Sequence, residues 1–214
     1  NLLEATHDWI VSFSSCFNVD VVYIDFSRAF DSIVFNKLLA KLAHCGISGN
    51  LLKFISAFIH NREQCVVLDN CFSSVTNVLS GVPQGSVLGP VLFLIFINDV
   101  SSICIGESKL KLFADDVKLY TPYNVNVTNC VNLQLSIDLL SSWAKSWQLC
   151  INISKCSVLS IHHNSKDSIP HPYCINGMPL SNTSSVTDLG IVVDSRLSFN
   201  LHISNILAKA TQRV

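Results

Sequence analysis

The stretch Leu110–Tyr120 reads LKLFADDVKLY, and it constrains the fold more than any other part of the chain. Apolar residues alternate with period 2 on both sides of an aspartate doublet, the pattern of strands with one buried face. The doublet interrupts the alternation where a chain can reverse, so the stretch reads as two strands around a tight turn. Burying one carboxylate is costly, and two side by side raise each other's pKa. Asp115 and Asp116 are therefore either a solvated hairpin tip or a seat for bound cations.

Around this hairpin, helical and strand-like patterns are interspersed. Asn1–Ser14 has helical period and Asp20–Asp25 (DVVYID) reads as a central strand. Asp31-Ser32 can cap a helix running to His44, ended by Gly46, and Ser48 can cap a second, Gly49–His60. Gln64–Leu68 and Val75–Leu79 suggest a hairpin, and SGVPQGSVLGP leads into an apolar helix, Val87–Val100. Asn124–Trp147 is helical in period; Leu149–Ile153 and Ser157–Ile161 are strand-like around Lys155. After a polar loop, His162–Pro172, the runs Tyr173–Ile175, Leu180 and Val186–Val193 suggest a small terminal sheet, with a helix from Leu201 to Ala210. There is no internal repeat and no strict βαβ alternation. The expected class is α+β, an antiparallel sheet with helices packed on one side.

Composition narrows the function classes. Of 214 residues, 49% are hydrophobic and 14% charged, which supports a sizeable core and excludes a disordered chain. The formal net charge of −1 does not advertise a nucleic-acid partner, so any basic surface must be local or lie outside this chain. The longest apolar run, Val91–Ile97, is far short of the ~20 residues of a membrane helix, and no membrane partner is expected. Nine cysteines, no CxxC pair and no signal peptide point to reduced thiols in the cytoplasm or nucleus. Cys150, Cys156, His162 and His163 cluster in sequence but fit no zinc spacing.

Three carboxylates carry the chemistry. Asp25 ends a predicted strand, and Asp115 and Asp116 sit on the predicted hairpin. If those strands are neighbours, all three can converge at one edge. Two divalent cations about 4 Å apart need such a cluster, and they relieve the repulsion between its members. Mg²⁺ is held by one or two carboxylates together with substrate phosphates, which suits this set.

The wider context is more specific. DFSRAFD (Asp25–Asp31), SGVPQGSVLGPVLFLIFINDV, FADD and WQLCINISKC occur in this order. Together they resemble the palm motifs of reverse transcriptases, above all those of non-LTR, LINE-type retrotransposons related to Jockey. The resemblance runs to about Asp194. It implies a polymerase palm over residues 1–194, with a residual fingers helix at 1–14, and the start of a thumb at 195–214. It implies RNA-directed DNA polymerase activity, with an RNA template, a DNA primer, deoxynucleoside triphosphates and two Mg²⁺ or Mn²⁺ ions.

The same resemblance assigns roles by position. Asp25 and Asp115 match the metal-binding aspartates and Asp116 their acidic neighbour, with the Phe26 carbonyl as a further ligand. Phe30 matches the aromatic that blocks a ribose 2′-OH. Gln84 and Gly85 match the loop along the incoming nucleotide and template, and Lys155 matches a lysine near the leaving pyrophosphate. Read without the resemblance, Phe30 is a core aromatic at a helix start, Lys155 a solvated strand-end lysine, and Gly81, Gly85 and Gly89 either a loop or a close helix contact. A non-enzymatic remnant keeping the fold is the rival reading. A two-metal nuclease would leave Phe30 and the VPQG loop unexplained. Because fingers and most of a thumb are missing from these residues, the chain alone is expected to polymerise poorly.

Overall fold

A computed structural model describes residues 1–124, 130–162 and 172–212. In chain order its elements are α1 (Leu2–Ser14), β1 (Asn18–Ile24), α2 (Phe35–His44), α3 (Gly49–Ile59), β2 (Glu63–Gln64), β3 (Val67–Leu68), β4 (Cys71–Phe72), β5 (Thr76–Asn77) and α4 (Leu88–Ile97). There follow β6 (Lys109–Phe113), β7 (Asp116–Tyr123), α5 (Cys130–Trp147), β8 (Ser157–Ile161), β9 (Cys174–Ile175), β10 (Met178–Pro179), β11 (Ser181–Thr183), β12 (Ser185–Asp188), β13 (Ile191–Asp194) and α6 (Asn200–Thr211). Turns of 3-10 helix occupy Asn98–Ile103 and Ile153–Lys155. The class is α+β, as expected. The chain forms two compact units, one of Asn1–Asp25, Ile103–Ser141 and the residues from Asn152 onward, the other of Phe26–Ser102 and Ser142–Ile151.

The first unit is built on a five-stranded sheet of order β11-β8-β1-β7-β6, antiparallel except where β11 runs parallel to β8. β1 (NVDVVYI) lies between two partners, and all of it is buried except Tyr23, which is half-buried. A strand paired on both edges and covered on both faces reads as a continuous apolar run rather than an alternating one. Its register on β7 runs from Asn18↔Tyr123 to Ile24↔Val117, and its register on β8 from Val19↔Ile161 to Tyr23↔Ser157. Alternate residues of β1, Val19 and Val21, join Tyr120, Leu159 and Ile161 in one cluster. α1 closes that cluster with Ala5 and Trp9; Trp9 is fully buried and meets Tyr120 edge-on at 5.8 Å. The Tyr120 hydroxyl, carried into this apolar layer, donates to Asp8 on the same helix at 2.6 Å. Two further ion pairs, Lys109 with Asp8 and Lys111 with Glu4, tie β6 to α1.

The expected terminal sheet differs in one respect. Ser181–Thr183 joins the main sheet as β11, while β9 with β10 and β12 with β13 form separate two-stranded ribbons. The strand expected at Leu149–Ile153 is reduced to one bridge, Ile151 to Phe26, followed by the 3-10 turn that carries Lys155. α6 starts where the Asp194 carboxylate accepts the N–H groups of Arg196, Ser198 and Phe199, which hold it below the usual carboxylate range against the opposing effect of burial.

The second unit packs α2, α3 and α4 through Leu38, Leu42, Ile55, Ile59, Phe93 and Phe96. Lys41 is buried among aromatic rings, with its ammonium 3.8 Å from the centre of Trp147, 4.7 Å from Phe96 and 4.8 Å from Trp143. It pairs with Asp99 at 2.6 Å, although burial lowers its pKa. Trp143 and Trp147 thus serve the packing of this unit, as their place on the apolar face of α5 suggests. The hairpin expected at Gln64–Leu68 and Val75–Leu79 is two short ladders, β2 with β5 and β3 with β4. The helix expected to start at Asp31 begins at Phe35 instead. Residues 125–129 and 163–171, where the sequence suggests the start of α5 and most of the polar loop with His163, lie outside the described residues.

Trp9 fills the space between α1 and the sheet, so Trp9→Ala should destabilise the chain by about 3–5 kcal/mol, read as a lower urea midpoint.

Candidate active site

The hairpin expected at Leu110–Tyr120 is present. Phe113 pairs with Asp116, leaving Ala114 and Asp115 as a two-residue turn between β6 and β7. Ala114 takes φ +52°, a conformation that favours glycine, and Asp115 does not share it. A positive φ at the first central position alone is the signature of a type II′ turn. The turn displays Asp115 half-buried and starts β7 on an exposed Asp116.

The sheet register brings Asp25 to the same edge. Ile24 on β1 is paired with Val117 on β7, so Asp25 and Asp116 are the next residues outward on neighbouring strands. The backbone at Asp25 is fixed because its carbonyl accepts the N–H of Asn152 at 2.8 Å. That bond starts the tight turn leading to Lys155, whose ammonium stands 3.7 Å from Asp25 Oδ2. Asp25 Oδ2 itself is buried and accepts no hydrogen bond among the described residues. A buried carboxylate oxygen without a donor is expensive to maintain unless a cation completes it.

Asp25, Asp116 and Lys155 line one cleft of about 160 Å³ in the first unit. Tyr23, Lys118 and Asp188 line it as well. Burial first, then the negative charges of Asp115, Asp188 and Asp25, push the Asp116 carboxyl above the usual range, and Lys118 opposes them. Asp116 is exposed on one side, and solvent screening moderates the effect. Asp188 is the residue that sequence reading did not single out. It lies some seventy positions after the doublet, and the only trace in the sequence is an acidic residue inside the strand-like run Val186–Val193.

The residues fit a hard divalent cation, since the donors are carboxylate oxygens and one of them accepts no hydrogen bond, with only the longer Lys155 contact beside it. They do not form a closed cage. Among the described residues no group of three or more His, Cys, Asp or Glu side chains can hold a metal ion by itself. An open set is what a cation shared with substrate phosphates requires. The described cysteines are free thiols.

The remaining expected residues lie in the second unit. Phe26 is buried, 6.4 Å from the Trp143 ring. Phe30 is half-buried and stacks on Phe93 of α4 at 4.1 Å. It sits in a turn rather than at a helix start, and the cause is visible in the backbone. Gly81 N–H donates to the Ile33 carbonyl at 2.8 Å and Val82 N–H to that of Phe30 at 2.9 Å. Ser80 Oγ donates to the Asp31 carbonyl at 2.7 Å, and Gln84 Nε2 to the Asp31 carboxylate at 2.8 Å. Residues 30–33 are therefore zipped to residues 80–84 and cannot wind into α2.

The zipper also sorts the glycines. At Gly81 (φ +88°) a Cβ would meet the Asp31 Cα at 2.7 Å, so no other residue fits. Gly85 (φ +76°) has open space around it and is needed only for its backbone conformation. Gly89 lets the start of α4 approach the Pro83 carbonyl, where a Cβ would stand at 2.5 Å. The stretch is a loop leading into a helix, and its close approaches are to loop backbone rather than to a neighbouring helix. Gln84 and Gly85 form the exposed tip of this loop.

Among the described residues no helix is long and apolar enough to cross a membrane. Residues 18–193 match the family model described as reverse transcriptase (RNA-dependent DNA polymerase). The chain is 34% identical over 190 residues to the RNA-directed DNA polymerase from mobile element jockey of Drosophila funebris, covering 86% of this chain and 20% of that protein. It is 30% identical over 190 residues to the jockey polymerase of Drosophila melanogaster, with the same coverage. It thus spans about a fifth of the length of these relatives. Among solved structures it is similar to telomerase from Candida albicans, in complex with a fragment of telomeric RNA (TM-score 0.64, 15% identity, 92% of this chain and 33% of that one). Apo telomerase from Candida tropicalis, truncated from its C-terminal domain, is similar too (TM-score 0.63, 12% identity, 94% and 39%).

The raised Asp116 pKa has a direct consequence for stability. The folded chain holds that proton more tightly than the unfolded chain, so the stabilisation present at low pH is lost as pH rises through the folded pKa. Asp116→Asn cannot ionise. With EDTA present it should melt above the parent near about pH 7 and level with it near about pH 3, below the ordinary carboxylate range.

Proposed function

Because the chain belongs to the reverse transcriptase (RNA-dependent DNA polymerase) family, we propose that its carboxylate cleft is the metal centre of template-directed nucleotidyl transfer. The reaction would extend a DNA primer on an RNA template with deoxynucleoside triphosphates. The observation that carries this reading is the placement of Asp25 beside Asp116, with Asp25 Oδ2 buried and lacking a donor.

In this reading Asp25, Asp115 and Asp116 hold two divalent cations, Mg²⁺ or Mn²⁺, with the Phe26 carbonyl as a further ligand. When bound, these ions supply Lewis-acid activation of the primer 3′-OH and charge neutralisation on the triphosphate. The protein's own part is positioning rather than covalent chemistry. The sheet register fixes the spacing of two carboxylates, and the type II′ turn presents the third. Lys155, exposed on its turn and already drawn to this cleft, swings to the charge that develops on the leaving pyrophosphate. Phe30, held flat by its stack on Phe93, bars a 2′-OH from the sugar site. Gln84 and Gly85 line the path of nucleotide and template, with Gln84 oriented by Asp31. Residues 1–194 are then the palm with its preceding helix, and 195–214 the entry to the thumb.

Binding tests this without requiring turnover. Mn²⁺ with a deoxynucleoside triphosphate, at about a hundred times Kd, should stabilise the chain by about 2.7 kcal/mol. Asp25→Asn and Asp116→Asn should abolish the shift. A folded chain that shows no shift would instead be a remnant that keeps the fold without the site.

A further inference from the structure

Lys118 and Asp188 form an ion pair at 2.5 Å, with side chains only 5% and 6% exposed. No other ion pair among the described residues has both partners so deeply buried. Lys118 lies two residues beyond Asp116 on β7, so both side chains leave the same face of the strand. Its register partner on β1 is Tyr23, whose hydroxyl donates to the same Asp188 oxygen at 3.3 Å. The ammonium also stands 6.0 Å from the Trp9 ring, at the limit of a cation–π contact. Asp188 ends β12, so this pair ties that ribbon to the strand carrying the doublet, beside the packing of Val186, Ile191 and Val193 on the core around Tyr120.

The charges around the cleft show why this matters. Asp25, Asp116 and Asp188 line it together, and Asp115 is next to it on the turn. An Asp188 freed of its counter-ion would add a third lining carboxylate to Asp25 and Asp116, leaving less coordination for a substrate phosphate. A buried ammonium against it removes that carboxylate from the set. Lys118 cannot simply swing aside, because it is walled in and would leave Asp188 buried without a counter-charge.

We propose that Lys118 is a built-in counter-ion that withholds Asp188 from cation binding, so that the β12–β13 ribbon forms a wall of the cleft without supplying a ligand. Lys118 and Asp188 are thus positioning residues for the metal centre, and the inference rests on the reading of the cleft given above.

Mn²⁺ binding, followed by the electron paramagnetic resonance of the free ion, tests it on the parent, Lys118→Gln, Asp188→Asn and the double variant. Lys118→Gln releases Asp188 into the cleft and should tighten binding about tenfold, the scale on which groups outside the first ligand shell act. Asp188→Asn leaves the ammonium uncompensated beneath Asp116 and should weaken binding by a similar factor. The double variant, neutral at both buried positions, should bind within about twofold of the parent. It decides the matter where circular dichroism shows a single variant unfolded. A double variant weakened about tenfold would make Asp188 itself a ligand and overturn the inference. So would a folded Lys118→Gln that binds like the parent. Asp116→Asn is the separate control for the cleft: if the parent binds no Mn²⁺, the metal-centre reading fails, and the counter-ion inference then stands only if Lys118→Gln gains binding.

Discussion

The pairing of β1 with β7 is the constraint on which the rest of the first unit depends. A one-residue slip would turn every side chain of either strand to the opposite face. Val19 and Val21 would leave the layer under Trp9, and Asp25 would no longer end its strand beside Asp116. The apolar packing of α1 on the sheet therefore fixes the spacing of the carboxylates. Core and site are specified by the same register, and the buried, doubly paired β1 makes that register costly to change.

Charge balance is the second theme. The first unit places several carboxylates near one sheet edge and answers them with lysines in different ways. Lys118 is locked against Asp188 inside the protein, whereas Lys155 meets Asp25 at 3.7 Å from a largely exposed turn. The first contact is permanent and structural. The second can be exchanged for a cation at little cost, because exposed ion pairs contribute roughly 0–1 kcal/mol. Asp116 is left with the unfavourable charge of its neighbours, which fits a site completed by ligands rather than by protein alone.

Much of this was legible in the sequence because it is local. The alternation around Asp115 and Asp116 encodes the hairpin, and the apolar run before Asp25 encodes the central strand. The order of the motifs along the chain carries the resemblance to the family by itself. What could not be read is long-range. The hydrogen bonds from Ser80, Gly81, Val82 and Gln84 to residues 30–33 override the capping signal at Asp31-Ser32 and delay α2 to Phe35. The partner of Lys118 lies on a ribbon seventy residues away, and nothing near either residue announces the contact. Likewise β11 joins the main sheet as a parallel neighbour of β8, a pairing that local pattern does not encode.

The central claim is that Asp25 and Asp116 share a cation that substrate phosphates complete. Anomalous diffraction from crystals of the chain grown with Mn²⁺ and a deoxynucleoside triphosphate tests it most directly. The account predicts manganese peaks between the carboxylates of Asp25 and the Asp115–Asp116 turn, with triphosphate oxygens filling the remaining coordination and Lys155 moved off Asp25. Manganese bound elsewhere, or a cleft that keeps the Lys155–Asp25 contact while nucleotide is bound at another place, would contradict it.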